Sequence, residues 1–305
     1  MKPLTTLLLM MLTSTLCFSQ ADGKKLLEEG NLEGAMNAFG QAFMANPSYT
    51  ETAYQLTKTL ALMNQVDTAF YFLNAALQDD NSLIRLADFN LYSLTTSPKW
   101  KAIEDRQIEK FQSAHGQLKN PTYTKALLSI IMKDQSLDYY VDFAKVEFSE
   151  KGHIPHWFYP IIFLKNEFIT NQNFEEMKSL IKKYGWPTYS MVGKLASDAP
   201  LLVINHHPDD QVRKDYLPMI KEACESGEGS CIEYAKIYDR ILVNDGQPQF
   251  YGMQFEFNAD RKLVPATIES PEYVDQRRKA IGLEPLKDYL KRRINFNFEV
   301  AQKEK

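Results

Sequence analysis

The sequence predicts a mainly α-helical protein whose C-terminal part carries one small antiparallel β-hairpin. Three observations point there. Apolar residues recur at helical spacing through most of the chain, interrupted by Pro and Gly at the intervals where helices end. Residues 24–80 show self-similarity with a period of 34. Strand-like alternation is confined to one stretch, Tyr251, Met253, Phe255 and Phe257 against Gly252, Gln254 and Glu256. The 305 residues are 44% hydrophobic and 24% charged, a globular composition rather than a disordered one.

Residues 1–19 read as a secretory signal peptide: Lys2 supplies the positive start, Leu4 to Leu16 the apolar run, and Cys17-Phe18-Ser19 the cleavage region. The run is too short to span a bilayer, and Leu16 before Cys17 argues against a lipid anchor. The expectation is an exported protein, periplasmic or secreted, cleaved near Ser19, with no transmembrane segment in the mature chain. Cleavage removes one Lys and no acid, taking the net charge from −4 to −5. A mildly acidic chain without a Lys/Arg cluster argues against nucleic acid as partner. Cys224 and Cys231 remain; across Glu-Ser-Gly-Glu-Gly-Ser in an oxidising compartment they are candidates for a short-loop disulfide, the alternative being two free thiols at helix ends.

Residues 20–118 form the repeat region. Ala35, Phe39 and Ala42 recur as Ala69, Leu73 and Ala76. Small residues let paired helices approach closely, and the large one fills the groove between them. Asn46-Pro47 ends the first unit. The turn Gly30-Asn31-Leu32-Glu33-Gly34-Ala35 and its counterpart Asn64-Gln65-Val66-Asp67-Thr68-Ala69 resemble a tetratricopeptide repeat. The resemblance covers about two repeats and implies a face for a peptide or protein partner; bracing of the following domain is the alternative. Leu83 to Leu94 continues with helical spacing, and Ser97-Pro98-Lys99-Trp100 opens a helix over Ile103–Phe111.

Asn120-Pro121 is the internal boundary, placing a second, helical domain over 119–292, with its hairpin near 249–268 and a polar tail over 293–305. Tyr123–Met132, Leu137–Phe148, Trp157–Ile169 and Phe174–Tyr184 are helical. Ser190–Ile204 is a helix interrupted at Pro200. Pro208 pushes His207 out of the helix, and Asp209 caps the next one. Ile232–Val243 is a helix placing Asp239-Arg240 near its end. Pro265 confines its strand to an edge, Gly252 marks a bulge or a close backbone approach, and Ser270 with Pro271 starts a further helix.

Most groups capable of chemistry lie in 185–254. Leu-Leu-Val-Ile followed by His-Pro-Asp-Asp resembles the zinc motif of LmbE-like deacetylases, which implies zinc on a His and an Asp with the second Asp as base. That family needs a further His downstream, and none follows His207. A metal site is therefore not expected, zinc included, and no cofactor is predicted. His153 and His156 have metal-compatible spacing but nothing nearby to complete a set.

A second resemblance runs through Gly185-Trp186-Pro187, Ser190, Val192-Gly193, Ala196, Leu201-Leu202, His206-His207, Asp209, Gln211 and Asp239-Arg240. It continues through Gly246, Gln249, Tyr251-Gly252, Gln254, Pro265, Ile268-Glu269, Val274-Asp275, Arg277-Arg278, Gly282-Leu283, Pro285-Leu286 and Tyr289. In this order and spacing the stretch of about 160–292 resembles the domain-of-unknown-function family 6624 of bacterial proteins, whose single His matches His207. The resemblance implies a domain and no reaction.

Two functional readings follow. The first is an exported protein-interaction module, the repeats binding a protein or peptide and the C-terminal domain resembling a ligand-binding one. The second is a hydrolase or transferase. There His207 is the general acid/base, since an unperturbed imidazole titrates near neutrality. Asp209 or Asp239 orients it, and Arg240, Gln249, Tyr251 and Gln254 hold a polar or anionic substrate. Ser190 is present without the glycine-framed turn of an activated serine. The bland alternative for the same residues is a buried polar network locking the hairpin onto the helices.

Overall fold

The computed structural model describes residues 20–303; the predicted signal peptide lies outside them. The described residues are helical, with one two-stranded sheet. They fall into two compact units, which divide at Glu176/Met177, inside a helix and well beyond Asn120-Pro121.

In the first unit, α1 (Gln20–Glu28) and α2 (Leu32–Ala45) form one hairpin, α3 (Thr50–Leu62) and α4 (Val66–Ala76) the next. Their turns share one backbone pattern. Gly30 and Asn64 both take positive φ, at 77° and 56°. Asn31 N–H donates to Leu26 carbonyl and Gln65 N–H to Leu60 carbonyl, both at 2.8 Å. The period of 34 is thus written in the turns as well as in the side chains. Asn31 caps α2 through Gly34 N–H, and Ala35, Phe39, Ala69, Leu73 and Ala76 are buried.

Leu83–Leu94 departs from the expected α-helix. It forms two 3₁₀ segments, Ile84–Ala87 and Phe89–Thr96, parted by Asp88 in extended conformation. Asp88 caps the second segment and accepts the Tyr54 hydroxyl, which fixes the break. α5 (Lys99–His115) then follows α4: Lys99 pairs with Asp67, Arg106 with Asn74 Oδ1, and Lys110 donates to Leu77 and Gln78 carbonyls at the end of α4. α6 (Pro121–Gln135) is capped by Asn120 and buries Tyr123, Leu127, Leu128 and Ile131. α7 (Asp138–Lys151) returns to the start, where Tyr139 donates its hydroxyl to Leu27 carbonyl. α8 (Phe158–Phe163) runs into a π-helical turn, Leu164–Thr170. α9 (Asn171–Tyr184) carries the chain between the units.

The second unit opens with α10 (Tyr189–Val192), α11 (Lys194–Ser197) and α12 (Ala199–His206). The predicted interruption falls just before Pro200: α11 ends at Ser197, and Pro200 sits in the first turn of α12, where a missing N–H costs nothing. Gly193, at φ 82°, adds a second interruption between α10 and α11. α13 (Asp210–Glu225) contains Pro218, and α14 (Cys231–Asn244) is capped by Ser230. A Cys224–Cys231 disulfide ties the end of α13 to the start of α14.

β1 (Phe255–Phe257) pairs antiparallel with β2 (Leu263–Pro265), Glu256 opposite Val264. The strand is shorter than its alternation predicts: Tyr251 and Met253 are buried in an irregular loop before it, while Phe257 is 72% exposed. Ser270 takes φ 39° and makes no side-chain cap; a 3₁₀ turn, Pro271–Tyr273, leads into α15 (Val274–Ala280). α16 (Leu286–Ile294) follows. The predicted polar tail returns to the fold: Lys303 N–H donates to Glu272 carbonyl, and Gln302 accepts from Asp275 N–H and donates to Pro271 carbonyl. Among the described residues, no helix is long and apolar enough to cross a membrane.

Candidate functional site

The residues singled out in the second unit sort into two polar layers, and α14 serves both. The first is the His207 turn. His207 leaves α12 with φ −63° and ψ 135°, as the following proline requires. Asp209 N–H donates to His207 Nδ1 at 3.1 Å, so a neutral ring carries its proton on Nε2. The Asp209 carboxylate accepts Gln211 N–H at 2.9 Å and so caps α13. Arg213 binds the turn together. Buried to 3% exposure, it donates to the carbonyls of Asn205 and His207 at 2.8 and 2.7 Å and to Asp210 Oδ1 at 3.0 Å. Arg240 reaches the same place from α14, donating to Asn205 Oδ1 at 3.1 Å. Burial, then the Arg213 charge, holds its guanidinium below the ordinary value.

The second layer is the loop 249–254. Asp239 is fully buried, and its carboxylate is spent on backbone. Oδ1 accepts from Phe250 and Tyr251 N–H at 2.7 and 2.9 Å; Oδ2 accepts from Tyr251 and Met253 N–H at 3.0 and 2.9 Å. Burial pushes this carboxyl up, and the amides pull it back towards the ionised form. Gln249, also fully buried, donates to Gln254 and Ala266 carbonyls and accepts Gln254 N–H at 2.7 Å. Gln254 donates to Lys236 carbonyl. From the opposite side Arg277 donates to Phe250 carbonyl at 2.8 Å and Arg278 to Tyr251 carbonyl at 2.6 Å.

Asp239, Gln249, Tyr251 and Gln254 are therefore brought together, as are His207, Asp209 and, through Asn205, Arg240. Asp239 and Arg240 part because consecutive helical residues point about 100° apart. In this layer the amides of Gln249, Gln254 and the loop satisfy one another and present an interlocked backbone, with Tyr251 buried among Tyr234, Tyr238 and Phe250.

A third group escaped the sequence reading. Asp198 lies at the start of α12, half-buried, with Oδ1 unpartnered. Burial and then Glu233 push its carboxyl up to about 6, with Lys236 opposing. Lys236 itself pairs with Glu233 at 2.6 Å. No spacing announces this group, since Asp198 meets α14 only through the tertiary fold. The role of Arg213 was equally hidden; its position one turn past Pro208-Asp209-Asp210 was the available signal. Among the described residues, no group of three or more His, Cys, Asp or Glu is placed to hold a metal ion.

In the first unit a groove of about 530 Å³ runs between α1, α3, the Phe89 segment and α7. Leu27, Phe89 and Phe143 give it apolar walls, and Gln55, Lys58 and Tyr139 line it with polar groups.

A family model described as a family of unknown function (DUF6624) matches residues 157–299. No curated protein and no solved structure matches the chain.

Proposed function

We propose that this chain is an exported interaction module: tetratricopeptide-like hairpins over the front unit take a peptide or a segment of a partner protein, and the C-terminal domain accompanies them as a ligand-binding element. The observation that carries the reading is the groove against α1, α3 and α7. Leu27, Phe89 and Phe143 suit an apolar anchor. Lys58 and Gln55 offer donors to the carbonyls of an extended backbone, and Lys24, Glu28, Lys58 and Asp142 mix both charges. The Cys224–Cys231 disulfide agrees with an oxidising compartment, periplasmic or extracellular. The hydrolase or transferase alternative draws no support from Asp239, whose two oxygens are engaged by backbone amides.

Selection of random extended peptides on the mature chain tests the reading. Selected peptides are expected to carry a large apolar anchor and to bind L27Q/K58E at least about tenfold more weakly, as loss of an apolar contact and a charged donor implies. Equal affinity for parent and variant, or no peptide enriched at all, counts against it.

A further inference from the structure

The second unit holds a cleft of about 400 Å³ that borders the second polar layer through Met253 and Arg278 and lies between the α14 face carrying Lys236 and the chain from Arg278 to Arg293. Its charges are unbalanced: Lys236, Arg278, Arg292 and Arg293 line it against a single carboxylate, Glu284. Lys236 has Glu233 as partner and Arg292 has Glu284. The other two cations differ. Arg278 is 1% exposed, and its hydrogen bonds go to neutral acceptors: Tyr251 carbonyl at 2.6 Å, Glu284 carbonyl at 2.7 Å and Met253 Sδ at 3.4 Å. Arg293 is exposed and forms no ion pair among the described residues. Asp275, Glu284 and Asp239 act on Arg278 without a direct ion pair, and Arg293 has no carboxylate partner among the described residues, so the lining keeps an excess of positive charge that an entering anion balances.

The cleft is also organised. The Arg278 and Arg292 guanidiniums lie 4.9 and 5.7 Å from the centroid of the Tyr289 ring. Phe255 stacks on the same ring at 6.2 Å. Leu283 and Met253 add apolar wall, enough to seat the uncharged part of a small molecule. Planar guanidinium forks beside a lysine match the oxygens of a multiply charged oxyanion.

We propose that this cleft binds a small organic molecule bearing a doubly charged oxyanion, a phosphate monoester or a dicarboxylate, with Arg293 and Lys236 engaging the charge and the Tyr289 wall the remainder. The proposal is independent of the peptide groove. Titration calorimetry of the mature chain at constant ionic strength, with phenyl phosphate, phthalate and neutral phenol as probes, tests it. Saturable binding of phenyl phosphate or phthalate is expected, and none of phenol. The better of the two acids assigns the oxyanion. R293Q and K236Q should each weaken that binding by about tenfold, the worth of one charge-assisted hydrogen bond. K262Q, on the hairpin turn, should leave it unchanged. Thermal unfolding of each variant confirms that it folds. Absence of saturable binding for both acids overturns the proposal, as does binding that R293Q/K236Q retains or that K262Q weakens equally.

Discussion

Asp239 shows how far a residue's chemistry depends on what surrounds it. By sequence it is an acid beside an arginine near a helix end, equally suited to an ion pair or to orienting a histidine. In the fold it accepts the amides of Phe250, Tyr251 and Met253, while Arg240 turns to Asn205. What the sequence made legible was that polar groups gather here; which carboxylate would meet which amide depends on contacts across ten or more residues. Asp198 was illegible for the same reason and now gives a sharp expectation. Its folded pKa, about 6, lies above the ordinary 3.8, so the fold favours the protonated form. That stabilising contribution is complete below about pH 4 and is lost as pH rises through 6. D198N, which mimics the neutral acid, should match the parent at about pH 4 and exceed it near pH 7 by about 1 kcal/mol, a figure reduced for solvent reaching the carboxyl. Thermal melts at the two pH values decide it: an equal gain at both would show that ionisation of Asp198 is not the cause.

At the scale of elements, helices were readable where periodicity and a capping residue agreed, as at Asp209; Asn31, Asn120 and Ser230 cap their helices in the fold as well. They were misread where tertiary contacts overrode local pattern. Asp88, drawn to Tyr54, converts an apparent α-helix into two 3₁₀ segments. The loop 249–254 alternates like a strand yet wraps a buried carboxylate. Its backbone donates to that carboxyl group and accepts from the Arg277 and Arg278 guanidiniums. Gly252 completes the device, and the sequence did signal a close approach there. Its φ is 81°, and a Cβ on it would lie 2.6 Å from Leu286 Cδ1. G252A should therefore cost about 2–4 kcal/mol, combining left-handed strain with overpacking against α16. Urea unfolding measures this, and a change within about 0.5 kcal/mol, the range of an ordinary surface substitution, would contradict it.

At the scale of the whole molecule, a period visible in only a few side chains proved to govern a backbone pattern, because each turn must be built the same way for each hairpin to pack. The boundary between compact units was less legible. Asn120-Pro121 reads as a break but only caps α6, whose Tyr123, Leu127 and Leu128 are buried in the first unit. The division into two units gives a distributed prediction. The Cys224–Cys231 bridge closes a short loop in the second unit, with a sequence separation of 7. C224S/C231S should destabilise that unit by about 2–3 kcal/mol. Hydrogen exchange should show amides of residues 177–303 losing protection while those of 20–176 keep theirs. Uniform loss across the chain would mean that the two units unfold as one.

Gln302 and Lys303 bear on how the protein is handled in the laboratory. They stitch the carboxyl-terminal strand of sequence to Pro271, Glu272 and Asp275, beside the helix that supplies Arg277 and Arg278. Trimming back to Asn295 to tidy a ragged end would hand those backbone groups to water and loosen the footing of both arginines, whereas a purification handle attached after Lys305 leaves the stitching whole.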